Sequence, residues 1–161
     1  MQNIILPIFY LPPISWFSEY INTENNVILE QFETFPKQTY RNRTNIFGAN
    51  GRLSLIIPVR NTEKKLMKDI EISYQENWRK SHWKSIESAY KSSPYFEFYE
   101  DKFRVLYQQE EKYLLDFNIK CLETVKKILK IEKAQSLNDE FSKCPLEVDF
   151  RGKFSPKKET E

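Results

Sequence analysis

The opening stretch MQNIILPIFYLPPISWFS carries no charged side chain over eighteen residues, and it constrains the fold more than any other part of the chain. So much uncharged surface has to be covered. A membrane helix would not hold Pro7, Pro12 and Pro13 in its middle, because each proline removes a backbone donor and clashes with the preceding turn. A signal peptide would want a basic start and a small-residue cleavage site, and neither is there. What fits is a buried first strand over IILPIFYL, a proline-marked turn, and a helix from PPISWFSEYINTEN. Trp16, Phe17, Tyr20 and Ile21 give that helix an apolar face.

The rest of the first half reads as β-structure. NVILEQFETF predicts a second strand. RNRTNIFGANGRLSLIIPV predicts a hairpin, with Asn50-Gly51 supplying the positive φ angles of a type I′ turn. Leu53, Leu55, Ile57 and Val59 alternate as a half-buried strand should. IEISY after Asp69 predicts one more strand. From Trp78 the pattern turns helical. One helix runs to a stop near Pro94, and one or two more span Tyr99 to Ile131. From Glu132 the chain is polar with few anchors and reads as a loosely ordered tail. The expected fold is α+β or α/β: a small mixed sheet from the N-terminal half, covered by helices from the C-terminal half. The expected division is a domain over 1–131 and a tail over 132–161.

Several function classes recede on composition. The net charge is only +2, weak for a general nucleic-acid binder. Cys121 and Cys144 are too far apart for paired-cysteine chemistry, which favours a reducing, cytoplasmic setting. NRT at Asn42 matches a glycosylation sequon, but nothing else points to secretion. No phosphate-binding glycine loop, nucleophile elbow or zinc signature is present. With one histidine in the chain, no metal site and no cofactor are expected.

Three stretches carry chemistry. PKQTYRNR sets Lys37, Tyr40, Arg41, Asn42 and Arg43 between a strand and the hairpin. Guanidinium forks grip phosphate or carboxylate bidentately. Equally, Arg41 and Arg43 share a period-2 face that can simply be solvated. NWRKSHWKSIESAY places Trp78, His82, Ile86 and Ala89 on one helix face, bordered by Tyr90. There His82 is either a hydrogen-bonded core residue or a pocket imidazole able to move a proton. In SPYFEFYED, Pro94 breaks the helix. Tyr95, Phe96, Phe98 and Tyr99 then form an aromatic corner expected to pack into the core.

Taken together and in order, YLPPISWF, FPKQTYRNRTNI, ANG, IPV, NWRKSHWKSIESAYKSSPYFEFYED, LLDFN and DFRGKFSPK resemble the WbqC-like family over roughly residues 4–157. That family is associated with O-antigen and surface-polysaccharide gene clusters. The resemblance implies a pocket drawn from separate segments: Tyr10, Asn42, Arg43, His82 and Tyr90 match its recurrent polar positions. The chain departs from the pattern in having LPIF where many members carry Gln or His ahead of Tyr-Leu-Pro. It also stops at SPKKETE, where many members continue, which reads as a short variant.

The expectation is thus a cytoplasmic enzyme or accessory factor of surface-polysaccharide biosynthesis, with a transferase on nucleotide-linked sugars as the enzyme reading. His82 would be catalytic. Tyr10, Lys37, Arg41, Asn42, Arg43 and Tyr90 would bind the substrate, a nucleotide-sugar or other anionic small molecule. No nucleic acid and no membrane are expected as partners. The alternative is a non-catalytic protein-interaction module using the aromatic corner and the basic strand.

Overall fold

The computed structural model describes residues 2–141, 143 and 148–157. The uncharged opening builds strand β1 (Asn3–Pro7), helix α1 (Ile14–Asn22) and, after a short turn, strand β2 (Asn26–Glu30). β1 and β2 pair in parallel, Asn3 opposite Asn26 through Pro7 opposite Glu30, so α1 is their crossover. A parallel pair carries helices on its faces, so its residues are buried on both sides. Ile4, Ile5 and Leu6 are all buried. Trp16 and Tyr20, one turn apart on α1, stack at 5.1 Å, and the Trp16 indole N–H donates to the Pro7 carbonyl at 3.0 Å.

The second sheet is a hairpin of β3 (Arg43–Gly48) and β4 (Gly51–Ile56), with Arg43 opposite Ile56 and Gly48 opposite Gly51. Three helices follow: α2 (Trp78–Tyr90), α3 (Phe96–Leu106) and α4 (Leu114–Leu129). α4 buries Leu114, Leu115, Phe117, Cys121 and Leu122 on one face. Strand β5 (Gln135–Leu137) then adds to β2 in parallel, giving the order β1-β2-β5.

The α+β class holds, but the architecture differs from expectation in four ways. The strands form two sheets, one parallel and one antiparallel, in place of a single mixed one. IEISY is no strand. Glu71 and Ile72 make only single bridges, to Tyr113 and Val59, after a 3-10 turn at Met67–Asp69. The aromatic corner is largely exposed, with Tyr95 at 67% and Phe98 at 72%. The stretch read as a loose tail supplies β5, and beyond it Val148 and Phe154 are buried in the core. On the free side of β1, Ile5 N–H donates to the Val148 carbonyl and Phe150 N–H donates back to the Ile5 carbonyl. Cys144 lies outside the described residues.

Candidate functional site

His82 lies in the core. It is 5% exposed, and both ring nitrogens are engaged. Nε2 sits 3.0 Å from the Ile56 carbonyl oxygen, which can only accept, so Nε2 carries the proton. Nδ1 must then accept, and the Tyr10 hydroxyl donates to it at 3.0 Å. The Tyr10 oxygen in turn accepts from the Tyr107 hydroxyl at 2.6 Å. The result is one directed chain of hydrogen bonds, Tyr107 to Tyr10 to His82 to Ile56. Trp78 and Tyr10 wall the imidazole, their ring centroids 5.1 and 5.7 Å away. Burial pulls its pKa down to about 4, against a smaller upward pull from the Ile56 carbonyl. Tyr10 and Tyr107 are pushed the other way, first by burial, so both stay protonated.

This chain ends at the residue paired with Arg43. The ladder continues one step further: Ile57 N–H donates to the Asn42 carbonyl at 2.7 Å, and the Asn42 side-chain amide donates to the Ile57 carbonyl at 3.0 Å. From the other side, Asn118 on α4 donates to the Arg41 carbonyl at 2.7 Å. Asn42 and Arg43 are therefore held by three separate elements.

They open onto a cavity of about 470 Å³, a size that suits a small-molecule ligand. Lys37 and Gln38 line it from the loop before β3, and Arg60 and Glu63 line it from the segment after β4. Two polar atoms of its walls are shielded from solvent without a partner: Arg43 Nε and Asn42 Oδ1. A buried polar group left unpaired is costly, and such groups in a native fold call for an explanation. Gln38 also has a φ of 59°, and Lys64, next to the lining, one of 54°. Neither is glycine, so both store local strain, which tends to gather at functional sites.

The structure thus unites Lys37, Asn42 and Arg43 and separates the other candidates from them. Arg41 is 3% exposed and forms a two-point pair with Glu33, at 2.7 and 3.0 Å, plus a bond to the Arg151 carbonyl at 2.9 Å. Its charge is spent inside the protein: Arg41 lies in the turn ahead of β3, so the strand's alternation does not hold it to the face of Arg43. Tyr10 and His82 stand behind the hairpin. Tyr90 lines a different cavity, an uncharged groove of about 530 Å³ with Leu11, Phe17, Ile46, Ile86 and Phe103. Cys121 is fully buried and its thiol is pushed up, which keeps it inert. Among the described residues no cluster could hold a metal ion, and no helix is long and apolar enough to cross a membrane.

Sequence reasoning missed Arg60 and Tyr107. Arg60 was within reach: continuing the hairpin register past Ile57 opposite Asn42 carries the chain after β4 alongside the chain before β3. Nothing local marks Tyr107 as the end of a core hydrogen-bond chain.

The family model described as the WbqC-like protein family matches residues 9–147, a span that includes the cavity and the His82 chain. Neither a curated protein nor a solved structure matches the chain. The chain belongs to the WbqC-like protein family.

Proposed function

We propose that the protein is a cytoplasmic enzyme or accessory factor of surface-polysaccharide biosynthesis that holds the anionic end of an activated sugar in the Arg43 cavity. The supporting observation is the gathering of half-buried Arg43 with Lys37 and Arg60 around one cavity. A planar guanidinium offers two parallel donors to a phosphate, which a point-charge ammonium does not. In this reading His82 is a positioning residue: it fixes Ile56, and through the pairing it fixes Arg43. It has no nitrogen free to take a proton from a substrate. Glu63, exposed at the cavity, is the lining group that can accept a proton from a sugar amine or hydroxyl.

The test is a thermal-shift screen against nucleotide-linked sugars, followed by calorimetric titration of any hit. A ligand of the folded state raises the melting temperature by mass action. Arg43→Lys should keep the wild-type melting temperature without ligand and lose about tenfold or more in affinity, as expected when a charged hydrogen bond is lost. Equal affinity in the two proteins removes Arg43 from the site.

A further inference from the structure

We infer that the cavity is built for two linked anionic groups, a diphosphate, with Arg60 as its outer ligand. The inference rests on the anion-binding reading above and names the ligand's class. Two observations carry it.

The first is charge. Lys37, Arg43 and Arg60 line the cavity against the single carboxylate of Glu63, an excess of two positive charges. A diphosphate substituted at both ends carries two negative charges, whereas a phosphate bridging two groups carries one. The whole chain has an excess of only two as well, so the surface charge outside this cavity is close to balanced.

The second is depth. The cations come from three separate segments and do not converge at one level. Arg43 is half-buried at the start of β3. Lys37 is exposed, and the Arg60 side chain is 62% exposed. Its link to Glu71 is long, 3.9 Å, which leaves most of its donors for a ligand. One anionic group therefore sits at the inner level with Arg43, and the next sits at the mouth with Arg60 and Lys37. Phe35 and Val59 line the same space as apolar wall.

The experiment uses the full chain and three inorganic probes: phosphate, pyrophosphate and tripolyphosphate. Affinities are measured by calorimetry at fixed ionic strength. Pyrophosphate should bind about tenfold or more tightly than phosphate, the scale of one added charge-assisted contact. Tripolyphosphate should bind no tighter than pyrophosphate, because a third group finds no ligand. Arg60→Gln should bring pyrophosphate down to the level of phosphate and leave phosphate itself unchanged. Arg60 is exposed and weakly paired, so that variant should melt with the wild type. Affinity that climbs steadily from phosphate to tripolyphosphate overturns the inference, since a diffuse basic patch behaves that way. A pyrophosphate preference that survives Arg60→Gln overturns it too. Failure of all three probes to bind, or binding unaffected by Arg43→Lys, would instead sink the underlying anion reading.

Discussion

A proton added to His82 would have to reverse the chain behind it. Nδ1 would donate to Tyr10, Tyr10 to Tyr107, and the Tyr107 proton would be left without an acceptor among the described residues. Burial is the main reason the folded pKa is about 4 against 6.5 for a free imidazole, and the Ile56 carbonyl pulls it slightly back up. The sign follows from linkage. The unfolded chain takes up this proton near pH 6.5 and the folded one resists until about 4, so the stability at stake is complete above 6.5 and drains away between those values. The loss should be about 3 kcal/mol. It is read as the difference between wild type and His82→Gln in urea titrations across that range. The Glu33 carboxyl, raised mainly by burial, acts in the opposite sense but cancels in the difference. The same chain ranks two further variants. Tyr10→Phe leaves Nδ1 without a donor and should cost about 1–3 kcal/mol. Tyr107→Phe removes only a bond donated to a hydroxyl that keeps its own acceptor, and should cost about 0.5–1.5 kcal/mol. The reverse order of costs would contradict the assigned directions. Periodicity was enough to put Trp78, His82 and Ile86 on one face, and all three are buried. It could not show Tyr10 as the partner, 72 positions away, since that contact depends on how the hairpin docks against α2.

At the scale of elements, the hairpin was legible because alternation and an Asn-Gly pair act locally. The type of turn was not. Ala49 and Asn50 form the loop with negative φ, and only Gly51, the first residue of β4, is positive, at 98°. A type I′ turn needs two positive residues, so the glycine serves the step into the strand instead. An added Cβ at Gly51 would meet nothing within 4 Å, so any penalty there is backbone strain alone. Gly51→Val should therefore cost about 1–3 kcal/mol in chemical denaturation. Gly48→Ala has equally open space and no positive φ, and should be close to neutral. Equal effects at the two glycines would refute the assignment. IEISY misled for the opposite reason. Its composition suits a strand, but its backbone is divided between two segments: Arg60 N–H donates to Glu71 O and Ser73 N–H to Pro58 O on one side, Ile72 N–H to Lys112 O and Leu114 N–H to Ile70 O on the other.

At the scale of the whole molecule, the stretch from Glu132 onward was the least legible. Its polar sequence hides a few anchors that complete the parallel sheet and the core. Phe154 meets the Phe9 ring edge-on at 6.0 Å, and Arg151 pairs with the fully buried Glu30 at 2.8 Å. Three strand residues and two lone apolar side chains are too sparse a signal for periodicity to detect. Phe154→Ala should accordingly cost about 3 kcal/mol or more in urea, where a loose tail would cost nothing. The site followed the same pattern. The PKQTYRNR stretch drew attention as a segment, and the fold divides it, with Arg41 turned inward to Glu33 and Arg43 lining the cavity. On the proposed division of roles, Arg43 meets the ligand and His82 only holds the strand that presents it. The most direct measurement is the affinity of Arg43→Lys and of His82→Gln, each expressed per folded molecule, for one nucleotide-linked sugar that binds the wild type. Arg43→Lys should fold normally and bind about tenfold or more weakly. His82→Gln should be less stable yet bind within about threefold of wild type, since a small shift in position is all it transmits. A folded His82→Gln that loses binding while Arg43→Lys keeps it would contradict the account.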